Sequence, residues 1–565
     1  ADKRIAIVYS ESSAANYFNE TSYAQLIMSA QHQAMMAGTP FDLLNEADLT
    51  NADLLATYDA IVFPSFANVR ADLRDAISSA LETASNEHGV GMIAAGNLMT
   101  NDENGAAFGS DPYSVMKSLL GVDFKGFGQA TDAVIRAGAD HAGNETLAEG
   151  ATVQSYDGDF FYMHFEPVVS ADTVATLTAG GETYNAVLAT NTGGLNVHFA
   201  NESVFADTDL AWQAIDWAVE RGEISIDLKL TRSDLIVASR NDMDQSQEMF
   251  EVNPDDGRPP IYQTLVSLLE EWKADYNFVG SYYINVGDNP PDQQTDWAVS
   301  GPYYQQIMAL GNEIGTHSFT HPEDTNTLTP AQIQFEFEQS MAVIEAELGI
   351  DITGAAVPGA PESLQTAQQI IQYFDYLSGG YSGVGAGYPG AFGFLGPDQT
   401  DKVYLAPNIS FDFTLVEFQD MTPEEASAAW QAEFDDLTAN SSTPIALWPW
   451  HDYGPTEHDD DPDENPGSFY SEEMFTNFIQ TAFNAGAEFV TLNDLAGRIK
   501  SFQSSSVTVD KDGNEITATV TGEGVGAMAL DLDLNGGEGV IQSVAGWYAY
   551  DADSVFLPDA GGTFQ

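Results

Sequence analysis

The 565-residue chain contains no cysteine. Disulfides, thiolate metal sites and a cysteine nucleophile are thereby excluded, and a metal ion can be held only by histidine, aspartate or glutamate. Basic residues are scarce: 17 lysines and arginines stand against 86 aspartates and glutamates, a formal net charge of −69. Such a surface repels phosphate backbones and anionic lipid, so nucleic acid is not an expected partner. A solvated acidic surface suited to salty surroundings, where counterions screen the repulsion, is the simplest account of the excess; attraction to a cationic amino-sugar polymer is the other. Long apolar runs are also missing, so no membrane span is expected. What is present is 43% hydrophobic and 11% aromatic residues, enough for several cores. The length predicts three or four domains.

Apolar runs at 5–9, 60–64 and 91–95, separated by helical patterns at 22–36 and 73–84, predict a parallel sheet with helices on its faces. From 121 to 193 the rhythm changes to short strands with Gly, Asn and Asp turns, which predicts a β-rich insertion, a candidate carbohydrate binder. The α/β pattern resumes at 194–225, so residues 1–120 and 194–225 resemble a flavodoxin-like or amidotransferase-like domain, without the cysteine of true amidotransferases. Residues 226–502 repeat strand and helix signals over the length of a (β/α) barrel, and 503–565 read as a small all-β domain. The fold class expected is α/β and multidomain.

Chemistry concentrates in the 226–502 segment. His317 and His321, two of only nine histidines, are spaced i and i+4 after a strand-like stretch; on a single turn this spacing sends both imidazoles to one side, as a metal site requires. Asp242 and Asp244, just beyond the apolar run 235–239, are placed to add a carboxylate ligand and a general base. The segment Gly311-Asn312-Glu313-Ile314-Gly315-Thr316-His317-Ser318-Phe319-Thr320-His321-Pro322 resembles the H-[S/T]-x-x-H motif of the nodulation-protein-B-type (NodB) polysaccharide deacetylases. Ser239-Arg240-Asn241-Asp242-Met243-Asp244 is similar to that family's first motif, in an Asp-x-Asp form that resembles the branch acting on biofilm exopolysaccharides of the Pel and galactosaminogalactan type.

The resemblance implies a distorted NodB-type (β/α) barrel in which Asp244, His317 and His321 hold a divalent metal ion, with zinc expected. Asp242 is then the base and His451, in Trp448-Pro449-Trp450-His451-Asp452-Tyr453, the acid that protonates the departing amine. A competing alignment puts Asn241 in the base position and Asp242 on the metal. The family's arginine that orients the base has no counterpart in Val357-Pro358-Gly359-Ala360-Pro361-Glu362, and only Asp412 offers itself as partner of the acid histidine. Pro358, Tyr381, Trp448, Trp450 and Tyr453, together with Tyr388 and Phe392, are expected to line the sugar site. The implied partner is an acetylated polysaccharide met outside the cytoplasm, by a secreted, periplasmic or cell-surface protein. An O-acetyl esterase and a non-catalytic carbohydrate-binding or adhesion protein are the alternatives.

Overall fold

The computed structural model describes residues 2–221, 223–380, 390–458, 469–534, 539–541, 544, 551 and 553–565. The chain forms two compact units: Ala1–Arg232 with Gly396–Gln399 and Lys500–Gln565, and Ser233–Leu395 with Thr400–Ile499.

The first unit is built on a nine-stranded sheet. Its parallel part runs in the order Phe41–Leu44, Ile5–Val8, Ala60–Phe63, Gly91–Ala95, Leu195–Phe199. These strands are buried on both faces because helices cover them, which is why the sequence shows continuous rather than alternating apolar runs. Glu20–Ala37 is typical of the covering helices: Asn19 caps its first turn, and Gly38, at φ +71, ends it. Glycine is needed at 38, since a Cβ there would lie 2.4 Å from the Asp227 Cβ.

Only two strands of the 121–193 stretch form a separate sheet. Glu182–Asn191, Ala171–Ala179, Val134–Ala137 and Thr152–Ser155 extend the parallel strands as an antiparallel wing, while Val122–Ala130 and Phe160–Pro167 form their own ribbon. At the other end of the chain, Ala529–Asp533 pairs with Ser225–Lys229 on one side and Ser554–Phe556 on the other. That pairing places residues 226–232 with the first unit, so the second begins at Ser233 and not at the expected 226. Among the described residues no helix is long and apolar enough to cross a membrane.

The second unit holds a curved, mostly parallel sheet in the order Phe392–Gly393, Val403–Leu405, Tyr376–Ser378, Gly354–Ala356, Glu313–Thr316, Ser281–Ile284, Leu235–Met243, Ile445–His451, with Ala487–Val490 also paired to Leu235–Met243. Helices such as Ile261–Tyr276, Pro423–Thr438 and Glu472–Asn484 alternate with the strands, as parallel connections require. Phe392–Gly393 and Ile445–His451 lie at opposite ends of the order, so this is an open barrel rather than a closed one. Between sheet and helices sits an aromatic core containing Trp272, Trp430, Trp448, Trp450, Phe475 and Phe478, all buried.

Candidate active site

Side chains along a strand alternate between its faces, and that rule assembles the site. On Leu235–Met243, Ser239 and Asn241 face one way: the Asn241 amide donates to the Ser281 carbonyl (2.8 Å), and the Trp450 indole donates to the Ser239 hydroxyl (2.9 Å). Arg240 and Asp242 face the other way, and Asp244 follows as the strand ends. In register, Asp242 lies opposite His451 of Ile445–His451. Asn241 therefore points away from the site, and the alternative that made it the base loses its geometry.

Strand Glu313–Thr316 delivers His317 next to this face. Asp244 Oδ1 stands 3.3 Å from His317 Nε2 and 3.4 Å from His321 Nε2. It is buried, yet has no partner in hydrogen-bond geometry among the described residues. Both oxygen-to-nitrogen spacings suit ligands of a shared ion, since bonds of about 2.1 Å at octahedral to tetrahedral angles set ligands roughly 3.0–3.4 Å apart, and all three ligand atoms lie within 4.8 Å of one another. His317 Nδ1 lies 2.9 Å from the Ala356 carbonyl oxygen, which can only accept, so Nδ1 carries the proton and Nε2 keeps its lone pair for a metal.

The two histidines do not share a helical turn, contrary to expectation. Residues 317–321 form a loop in which Ser318 (φ +81) and His321 (φ +54) adopt left-handed backbone, an unfavourable conformation for non-glycine residues. Glu336, buried at 6% exposure, holds the loop: its Oε2 accepts from the Phe319 and Thr320 amides (2.9 and 2.8 Å) and its Oε1 from the Thr320 hydroxyl (2.5 Å). The Ser318 hydroxyl also accepts from the His321 amide (2.9 Å).

The orienting arginine absent from 357–362 comes from the Asp242 strand. Arg240, 1% exposed, grips Asp242 with both arms, Nε to Oδ1 at 2.9 Å and Nη2 to Oδ2 at 3.0 Å. Its remaining donors reach the Val357 and Ser378 carbonyls. Burial would raise the Asp242 carboxyl, but the Arg240 guanidinium and then His317 outweigh it and hold it below its ordinary value. Asp244 is likewise raised by burial but held well below the usual range by His321 and His451.

Asp412, fully buried, accepts from both His451 Nδ1 (2.7 Å) and the His451 amide (3.0 Å). His451 Nε2 is thereby turned to within 3.7 Å of Asp244 Oδ2. Burial disfavours the imidazolium, yet Asp412 and Asp244 prevail and push His451 up to about 10. Asp452 lies apart from this contact, accepting from the Gln245 amide (3.1 Å) and the Tyr262 hydroxyl (2.8 Å).

Residues 243–376 match the family model described as polysaccharide deacetylase. The second unit carries a polysaccharide deacetylase domain. Asp244, His317 and His321 fall inside the matched segment, Asp242 precedes it by one residue, and His451 follows it. No curated protein matches the chain. Among solved structures, the chain is similar to a family 4 acetyl xylan esterase from Clostridium thermocellum in complex with a cobalt ion (18% identity, 46% of this chain and 89% of that chain, TM-score 0.27). It is similar to the Xyl-CE4 domain of a multidomain xylanase from the hindgut metagenome of Trinervitermes trinervoides (15%, 47% and 91%, TM-score 0.27). It is also similar to the β-galactosidase from Bacillus circulans sp. alkalophilus (11%, 40% and 33%, TM-score 0.31), of whose length it spans about a third.

The deacetylase domain corrects most of the expected sugar-lining residues. Trp448 and Trp450 are 0% exposed and pack toward the helices, Trp448 stacking on Phe478 at 4.3 Å, because they occupy the face of their strand opposite His451. Phe392 is equally buried. Tyr453, 7% exposed, lies parallel to the His451 ring at 4.8 Å and supports the imidazole instead of offering a free face. Pro358 is buried in the loop whose Val357 carbonyl binds Arg240. Tyr381 and Tyr388 lie outside the described residues. Arg240 and Glu336 are the residues that sequence reasoning missed.

Proposed function

We propose that this protein removes acetyl groups from an N-acetylated amino-sugar polysaccharide, releasing acetate and leaving free amines. The observation that carries this reading is the convergence of Asp242, Asp244, His317, His321 and His451 from three chain segments on one face of the sheet. Asp244, His317 and His321 would hold a divalent metal, for which zinc is the expected identity. When bound, the ion supplies Lewis-acid stabilisation of the negative charge that develops on the acetyl oxygen.

The protein's own groups account for the proton movements. Asp242, kept ionised by Arg240, takes a proton from the attacking water as the water adds to the acetyl carbon. His451, kept protonated by Asp412, gives a proton to the nitrogen as the carbon–nitrogen bond breaks. A built proton donor suits an amide, whose amine leaves poorly unprotonated, better than an ester. The Arg240 clasp and the outward-facing Asn241 support a catalytic reading over a carbohydrate-binding remnant. The Asp-x-Asp spacing of 242 and 244 supports an exopolysaccharide substrate, and the acidic composition supports work outside the cell in a saline setting.

Acetate release from N-acetylated and O-acetylated glycans, with metal content measured in parallel, tests the proposal. Asp242→Asn is expected to lower turnover roughly 10²–10⁴-fold while metal is retained; His317→Ala is expected to remove both. Turnover at the wild-type rate in either variant would sink it.

A further inference from the structure

Away from the deacetylase domain, the first unit gathers carboxylates from three separate segments. Glu145 follows the short turn Ala142–Asn144, Asp216 sits on the helix Leu210–Glu220, and Asp533 ends the strand Ala529–Asp533. One oxygen from each lies within 4.8 Å of the other two. Lys3, the nearby cation, is already engaged by two further acids, Asp227 at 2.5 Å and Glu220 at 2.6 Å.

Asp216 sets this group apart from an ordinary acidic surface. It is 5% exposed, and its Oδ1 has no hydrogen-bond partner among the described residues. A buried carboxylate oxygen without a donor is costly unless a cation or proton meets it.

We propose that Glu145, Asp216 and Asp533 bind a calcium ion that ties the helix Leu210–Glu220 to the wing of the large sheet and to the C-terminal strand Ala529–Asp533. The donors are all carboxylate oxygens with no imidazole, which selects a hard cation. Oxygens up to 4.8 Å apart are spanned by calcium, whose bonds are about 2.4 Å, more readily than by magnesium, which demands a tight octahedron at about 2.1 Å. The site is structural: three stretches far apart in sequence gain a common ligand, and the ion stabilises the folded unit because the unfolded chain cannot assemble it.

The test titrates calcium into the whole chain and reads calorimetric binding and thermal unfolding at constant ionic strength. Magnesium serves as the control for screening of the acidic surface. Millimolar calcium is expected to raise the melting temperature by about 3 °C or more, magnesium by less. Asp216→Asn, a same-shape change, is expected to weaken calcium binding roughly tenfold or more. Glu145→Gln, at an exposed position where folding is not at stake, is expected to weaken it too and decides the matter if Asp216→Asn does not fold. His317→Ala is expected to keep the calcium response, which separates this site from the candidate active site. A wild-type chain that ignores calcium, or a response unchanged in both carboxylate variants, overturns the proposal.

Discussion

Arg240 is buried at 1% exposure with one carboxylate, Asp242, as its paired charge. Removing one member of such a pair strands the other, which costs about 3–5 kcal/mol. Arg240→Met is therefore expected to lower stability by about that much. It should also raise the Asp242 carboxyl, because the guanidinium is what holds it down against burial. The acid limb of the pH–rate profile should then move to higher pH, since a base with a raised pKa is protonated over a wider acid range. An acid limb that stays where it is in a folded Arg240→Met chain would show that the arginine does not tune the base. The signal for this residue was present in the sequence as period two: Arg240, Asp242 and Asp244 share a face, with Asn241 and Met243 between them. It is obscured because the family's spacing points to 357–362 for an orienting arginine.

The loop 317–321 shows how an element is held in a conformation its residues do not favour. Ser318 and His321 have positive φ, and Glu336 compensates by accepting from two amides and a hydroxyl of that loop. Supporting contacts of this kind typically contribute 10–100-fold to metal affinity. Glu336→Ala is expected to weaken metal binding by about that factor, read by competitive titration with a chelator, while the acetate-release rate at saturating metal recovers largely toward wild type. An unchanged metal affinity would make Glu336 a packing residue only. Spacing alone suggested a shared helical turn, because i and i+4 residues are neighbours on a helix; backbone handedness is invisible in a residue pattern. The tryptophans 448 and 450 were misplaced for a related reason. Alternation along the strand sets them opposite His451, and the helix layer, rather than the substrate, occupies that side.

Charge and ionisation act on the molecule as a whole. In the first unit His32 and His198 are buried, and burial pushes each down to about 4, against an ordinary value near 6.5. Between pH 6.5 and 4 the unfolded chain binds more protons than the folded one, so stability falls as pH falls, by up to about 3 kcal/mol per histidine. Asp207 and Asp227, pushed up to about 6 by burial, work in the opposite direction. The measurement is accordingly the difference in urea stability between wild type and His198→Gln across this window. The variant should lose less stability on acidification; parallel curves would show that His198 is not a source of acid sensitivity. Alternating strands and helices were legible where contacts are local. The strand at 225–229 was not assigned to the first unit, because its partner lies some three hundred residues further along the chain.

Composition and pattern were enough to establish an acidic α/β protein without thiol chemistry, to find the deacetylase motif, and to single out Asp242, Asp244, His317, His321 and His451 as candidates, because residue types and short spacings are local properties. Only the folded chain decided that Arg240 clasps Asp242, that Asp412 turns His451, that Glu336 holds the histidine loop and that Trp448 and Trp450 belong to the core. Each of these depends on which face of one strand meets which neighbour, and that is set by packing between segments the sequence keeps far apart.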